Sequence, residues 1–213
     1  MLEIGAGQGS VGAELARRYD YLGVEPDHSS FEVAARRIGD AGRVLNSTLE
    51  ELSETETFDL VCAFEVLEHI EDDVRALASW IERIRPGGRL LLSVPAGPNR
   101  FGASDIKVGH YRRYDRDGLR DLLTQAGLDE IEIRTYGFPL GYALEVLRNQ
   151  VVKRTGSRGT REERTAASGR LFQPSQRTAV LTAAASAPFR LVQRPFAGTR
   201  LGTGLVARAR RPA

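Results

Sequence analysis

Cysteine is almost absent from this chain. The lone Cys62 excludes an internal disulfide and any multi-cysteine metal site. Its place in the apolar run Phe58–Phe64 reads as a buried small hydrophobe. No apolar run approaches the roughly 18–20 residues that span a bilayer. No secretory leader is expected, because an acidic, glycine-rich segment begins at Glu3. A cytoplasmic protein without a transmembrane segment is the expectation. Acidic residues are scarce at one end only. Residues 148–213 hold 14 Lys/Arg and 2 Asp/Glu, a net of +12, whereas residues 1–147 hold 16 and 26, a net of −10. Such a split calls for an acidic partner: nucleic acid, anionic lipid, or the acidic body of the same protein. With 41% hydrophobic and 27% charged residues over 213 positions, the rest of the composition is that of a globular chain with one α/β domain.

Strand and helix signals alternate through residue 137. Met1–Ile4 is a short apolar run ending in glycines, and Val11–Tyr19 has helical spacing with Val11, Leu15 and Ala16 on one face. Tyr21–Val24 is a strand, Ser29–Ile38 a helix, and Arg43–Leu45 a short strand. Phe58–Phe64 reads as a strand buried on both faces. Asp72–Ile84 is an amphipathic helix with Val74, Leu77, Ala78 and Ile81 inward, ended by Pro86-Gly87-Gly88, which turns into the strand Arg89–Val94. A loop, Pro95–Tyr114, precedes the helix Asp115–Ala126, with Gly127 at its C′ position, and the strand Ile131–Tyr136. This alternation predicts a doubly wound, largely parallel sheet with helices on both faces.

The rhythm then changes. Leu140–Val152 is helical, Arg154–Gly169 is polar and expected to be mobile, and Arg177–Val192 carries one or two helices around Pro188. Gly202–Ala209 alternates like a final strand. The expected layout is a core over 1–137, a helical or flexible insertion over 138–201, and a last strand with a basic tail over 202–213.

The segment Glu3-Ile4-Gly5-Ala6-Gly7-Gln8-Gly9 lies between a strand and a helix. Glycines there let the backbone turn sharply and approach a ligand. A dinucleotide loop would place its third glycine at position 10, which is Ser10. An acid just before the loop, Glu3, would repel a pyrophosphate but suits an ammonium group. Glu25, at the end of the second strand, can accept both hydroxyls of a ribose.

The glycine loop, Glu25, Phe58-Asp59-Leu60-Val61, Phe64-Glu65-Val66-Leu67-Glu68-His69-Ile70 and Arg85-Pro86-Gly87-Gly88-Arg89-Leu90 follow one another in order. Together they resemble the class I S-adenosylmethionine (SAM)-dependent methyltransferases, on the small-molecule branch that includes the ubiquinone-biosynthesis O-methyltransferases. The resemblance covers residues 1–136 and the final strand. It implies a Rossmann-like, seven-stranded α/β sheet whose last strand is antiparallel, with the helical insertion before it. It further implies that Gly5, Gly7 and Gly9 pack on the methionine part of SAM, with Glu3 near its ammonium and Glu25 on the ribose. Pro26, Thr48 and Leu49 would then flank the adenine, and Phe64 and Glu65 would line the cofactor near its sulfonium. Family members usually carry a helix before the glycine loop, which this sequence does not show.

Substrate groups belong beyond the carboxyl ends of the fourth and fifth strands. His69 follows the fourth strand. The run His110-Tyr111-Arg112-Arg113-Tyr114 follows the fifth and puts an imidazole, two phenols and two guanidiniums on one loop. His110, Tyr111 and His69 are therefore the candidate catalytic residues, and Arg112, Arg113 and Tyr114 the candidate contacts to an anionic small molecule. The expected function is methyl transfer to a small-molecule acceptor, at oxygen. The alternatives are a methyltransferase acting on nucleic acid or protein and a non-catalytic SAM-binding protein. The sequence lacks an aromatic-interleaved basic stripe, so nucleic acid is not the expected partner. The basic insertion is a candidate for peripheral membrane contact. No metal site is expected.

Overall fold

The computed structural model describes residues 1–155, 189 and 192–213. The polar stretch Arg154–Gly169 and the helices expected around Pro188 fall almost entirely outside those residues. Short strands β1 (Leu2–Ile4), β2 (Leu22–Val24) and β3 (Arg43–Leu45) alternate with α1 (Gly12–Ala16) and α2 (His28–Ile38). Then come β4 (Phe58–Phe64), α3 (Asp73–Glu82), β5 (Ile84–Pro95), α4 (Ala103–Val108), α5 (Arg116–Gln125), β6 (Asp129–Tyr136), α6 (Leu140–Thr155) and β7 (Gly204–Arg210).

The seven strands form one sheet in the order β3-β2-β1-β4-β5-β7-β6. β1 to β5 pair in parallel, while β7 lies antiparallel between β5 and β6. The chain runs outward from β1 to β3 and then crosses back to start again at β4. Adjacent β1 and β4 thus mark the point where the winding reverses, and ligands of open α/β sheets bind beyond the strand ends there. The core reads directly from the central strands: Leu2, Val61, Ile84, Leu92 and Val94 have no exposed surface; Leu77 of α3 and Leu123 of α5 share a cluster with them, while Ala16, Ala34 and Ile38 of α1 and α2 pack with Tyr21 in a second cluster.

Four local expectations need correction. α1 spans only Gly12–Ala16, and Val11, which precedes it, stands 43% exposed, while Ala16 is buried and Leu15 packs against the same cluster. α3 is rotated from the expected phase: Val74 and Ala78 face solvent, while Asp73, Leu77 and Trp80 are buried. The large indole gains far more from burial than a valine and an alanine do. Pro86-Gly87-Gly88 does not end a helix. It lies inside β5, where a register shift against β4 and a positive φ of 78° at Gly87 absorb it as a bulge. Lastly, the loop after β5 contains a helix, α4.

The basic tail is partly spoken for. Arg200 pairs with Asp117, Arg208 with Glu132, and Arg210 with Glu130. Arg211 donates to the carbonyls of Ile81, Glu82 and Ile84. The acidic body of the same chain is thus a partner for Arg200, Arg208 and Arg210. Among the described residues, no helix is long and apolar enough to cross a membrane.

Candidate functional site

The loop after β1 is drawn over the end of β2. The backbone N–H groups of Gly5 and Ala6 both donate to the Val24 carbonyl at 3.0 Å, and Gly9 N–H closes the turn on Ala6 at 2.9 Å. The reversal needs left-handed backbone at Gly5, Gly7 and Gly9, with φ of 69°, 55° and 72°. At Gly5 a Cβ would also meet a methyl of Val66 at 2.7 Å, so the loop rests directly on the segment after β4.

Glu25 is built into this loop. Its Oε2 accepts from Gly7 N–H at 2.7 Å and its Oε1 from Asp27 N–H at 2.9 Å. The side chain is buried, and burial raises its carboxyl above the usual range against the pull of those two N–H groups. Each carboxylate oxygen keeps acceptor capacity for a further hydroxyl. Asn46, which sequence reasoning missed, pins the turn by donating to the Glu25 and Pro26 carbonyls at 2.9 and 3.0 Å. Pro26 is exposed, Thr48 half-buried, and Leu49 packed into the core.

Glu3 lies beneath this cradle, 2% exposed, and accepts a hydrogen bond from the Tyr21 hydroxyl. Burial lifts its carboxyl to about 7, against the Tyr21 bond and with a small push from Glu25. The expected reach toward an ammonium group is therefore taken up by a phenol. Phe64 is half-buried at the end of β4. Glu65, next to it, has a positive φ of 56° and accepts from the Ser93 hydroxyl at 2.9 Å and the Tyr136 hydroxyl at 3.0 Å. A non-glycine residue held there signals a constrained position at the strand end.

The second cluster joins β4, α4 and α6. Asp105 on α4 accepts from His110 Nδ1 at 2.9 Å and from Arg113 Nε and Nη2, both at 2.8 Å. Burial pushes the Asp105 carboxyl up, but the His110 and Arg113 bonds and the guanidinium charge outweigh it, leaving it well below the usual range. An ionised Asp105 accepts, so the His110 Nδ1 carries a proton toward it and the other ring nitrogen, Nε2, faces away from Asp105. That Nε2 lies 3.8 Å from Glu68 Oε1. Glu68 has no exposed surface, and neither of its oxygens has a hydrogen-bond partner. Burial, with Glu65 and Asp105 adding to it, drives its carboxyl well above the usual range. The His69 and His110 rings meet edge to face with centroids 4.7 Å apart. Burial, then His110, lowers His69 to about 3, which makes it a poor base at neutral pH.

Not every residue of the loop run faces this cluster. Arg113 is 5% exposed and held by Asp105 and Glu145, and Tyr114 is 7% exposed with its hydroxyl on Asp73 at 2.8 Å. Both are turned into the fold, so the substrate contact expected of them is corrected: a buried guanidinium needs ion partners, and the interior supplies them. Arg112 pairs with Asp73 at 2.8 Å and stays partly exposed. Tyr111 is half-buried, its N–H bonded to the Glu68 carbonyl at 2.8 Å. The places of Glu68 and Glu145 were not legible beforehand, because only tertiary packing brings the segment after β4 to His110 and α6 to Arg113.

Residues 2–90 match the family described as "Methyltransferase domain". That matched stretch runs from β1 into β5 and is similar to a methyltransferase domain. Proteins similar in sequence to this chain include the ubiquinone biosynthesis O-methyltransferase of Cereibacter sphaeroides, 28% identical over 150 residues, covering 62% of this chain and 61% of the relative. The chain thus spans less than two thirds of that relative's length. Among solved structures, a SAM-dependent methyltransferase from Thermotoga maritima is similar at a TM-score of 0.59 and 20% identity, covering 99% of this chain and 80% of that one. Phosphoethanolamine N-methyltransferase 2 of Haemonchus contortus, 17% identical, is similar at a TM-score of 0.62, covering 100% of this chain and 48% of its own. At such identities these two structures speak for the fold.

Proposed function

We propose that this domain transfers the methyl group of SAM to an oxygen of a small-molecule acceptor, and that His110 activates that oxygen. SAM supplies a methyl carbon already made electrophilic by its sulfonium. The observation that carries this reading is the hydrogen bond of Gly7 N–H to Glu25 Oε2 at 2.7 Å, in the loop that leaves β1 at the sheet's reversal point. Gly5, Gly7 and Gly9 give backbone room for the methionine part of the cofactor, and Glu25 accepts the two ribose hydroxyls on its remaining lone pairs. Glu3 supports the loop from below through Tyr21. Pro26, Thr48 and Leu49 flank the base, and Phe64 and Glu65 border the reacting carbon.

On the acceptor side, Asp105 fixes the His110 ring with Nε2 toward the acceptor. The acceptor's O–H bond breaks as Nε2 takes the proton, while its oxygen gains the methyl group. Asp105 steadies the charge that results on the ring. Tyr111 and Arg112 border the acceptor. An O-directed reaction agrees with the naming of the ubiquinone-biosynthesis relatives. The test is a screen of phenols and hydroxy acids with methyl-labelled SAM, alongside calorimetry with S-adenosylhomocysteine and with NAD. Labelled methyl ether and binding of S-adenosylhomocysteine alone are expected. NAD binding with no S-adenosylhomocysteine binding would overturn the reading.

A further inference from the structure

We propose that Glu145 of α6 is a positioning residue for His110: through Arg113 and Asp105 it sets the imidazole that faces the acceptor, and it does so only while α6 is docked. The proposal rests on the methyl-transfer reading in one point, that His110 meets the acceptor.

The relay is continuous and buried. Glu145 accepts from Arg113 Nη1, and from Arg100 Nη1 at 2.9 Å. Arg113 keeps Nε and Nη2 on Asp105, whose Oδ1 also takes His110 Nδ1 at 2.9 Å. A guanidinium is a rigid, planar fork of donors, so the direction of Nη1 fixes that of the other two nitrogens. The charges of Arg100, Glu145, Arg113 and Asp105 alternate in sign and cancel. Without the Glu145 charge, Nη1 loses its anion where water offers little in exchange. Its remaining neighbour is the Ala96 carbonyl at 3.4 Å. The fork then turns, and the carboxylate that aligns His110 turns with it.

A second contact runs the same way. Asn149, one turn on from Glu145, accepts the Ser104 N–H at 3.0 Å. Ser104 stands next to Asp105 in the first turn of α4. α6 thus holds both the backbone before Asp105 and the arginine that grips its carboxylate.

The helix itself is inside out. A surface helix ordinarily turns its apolar stripe to the core. Here Tyr142, Glu145 and Asn149 are turned in with Val152, while Leu144, Leu147 and Val151 stand more than half exposed. Arg100 completes the clasp: it lies 4.3 Å over the Tyr142 ring and donates to the Ala96 and Gly202 carbonyls. Directional, charge-assisted bonds therefore hold α6, and such bonds fix geometry in a way that apolar burial does not.

The experiment uses the full chain carrying ¹⁵N in its three histidines, with His110→Gln to assign the His110 signals. In the parent chain Nδ1 should read as the protonated nitrogen. In Glu145→Gln the two ring signals should move toward each other as the tautomers mix. Single-turnover methyl transfer should fall by about 10-fold or more, with S-adenosylhomocysteine affinity unchanged, which certifies the fold. Glu145→Asp, which keeps the charge, should recover part of the loss. In the His110→Gln background Glu145→Gln should cost no further rate, because its effect passes through the ring. A merely structural role would give the same factor in both backgrounds. Should Glu145→Gln not fold, Asn149→Ala carries the same two readouts in the same direction. Ring signals identical to the parent's in the folded variants, or equal losses in both backgrounds, would overturn the proposal. Shifted ring signals in a chain that methylates nothing would instead strike the methyl-transfer reading and leave the relay standing.

Discussion

Arg113 grips Asp105 at two points, Nε to Oδ1 and Nη2 to Oδ2, each at 2.8 Å. The same carboxylate holds His110, and the same guanidinium reaches Glu145 on α6. One buried arginine therefore ties the candidate catalytic imidazole to the first helix of the insertion. Arg113→Leu removes the guanidinium from two buried carboxylates, leaving Asp105 to His110 and the Gly102 N–H and Glu145 to Arg100. A loss of about 3–5 kcal/mol follows, and a thermal midpoint lower by roughly 10 °C in calorimetry is the expected sign. An unchanged midpoint would mean that Asp105 and Glu145 find other partners.

Glu25→Ala removes both acceptor oxygens and releases Gly7 N–H from its partner. S-adenosylhomocysteine affinity should fall by tenfold or more, about 1.4 kcal/mol per decade. Titration calorimetry reads this directly. Equal affinity in the variant would remove Glu25 from the cofactor site.

Glu3 makes stability depend on pH. Its carboxyl rises from 4.5 to about 7, chiefly through burial, so the folded state binds the extra proton between those values. The stability this proton contributes is fully present below pH 4.5 and is lost as pH rises through about 7, an effect of about 3 kcal/mol. Glu3→Gln keeps the acceptor for Tyr21 and abolishes that titration. Relative to the parent chain, the variant should gain stability progressively from pH 4.5 to 7.5 in urea melts. His69, whose pKa is lowered to about 3, acts in the opposite direction but equally in both proteins, so it cancels in the difference. A difference that does not change with pH would refute the assignment.

His110→Gln should lower the rate of methyl transfer by about 10²–10⁴-fold while leaving S-adenosylhomocysteine affinity alone. Single-turnover kinetics with the acceptor found in the screen separates the two. Retained activity would take His110 out of the reaction.

Gly5→Ala tests the loop. A side chain at φ 69° is strained, and its Cβ meets Val66 at 2.7 Å. A stability loss of about 1–3 kcal/mol is expected, accompanied by weaker cofactor binding. Val66→Ala should restore part of both by making room, and no rescue would place the whole cost in the backbone.

The glycine run, the strand-end Glu25 and the alternation of strands and helices were legible because each depends on local chemistry. Positive φ selects glycine, buried parallel strands select continuous apolar runs, and the reach of a carboxylate depends on where its strand stops. The phase of α3 was not, since choosing between Val74 and Trp80 as the inward residue needs the sheet on which they compete. Nor was the direction of Arg113 and Tyr114. A sequence places five polar residues on one loop without saying which of them α4 and α6 will draw inside.

By itself, then, the sequence determined the α/β class, the glycine turn and its acid, and the positions after the fourth and fifth strands where chemistry belongs. The tertiary structure alone decided that Glu68, His69 and His110 converge, that Asp105 rather than solvent holds the imidazole, and that part of the basic tail pairs with the acidic body. These are contacts between groups far apart in the chain or on different elements. Burial, which sets both their charge states and their need for partners, exists only once the layers have closed.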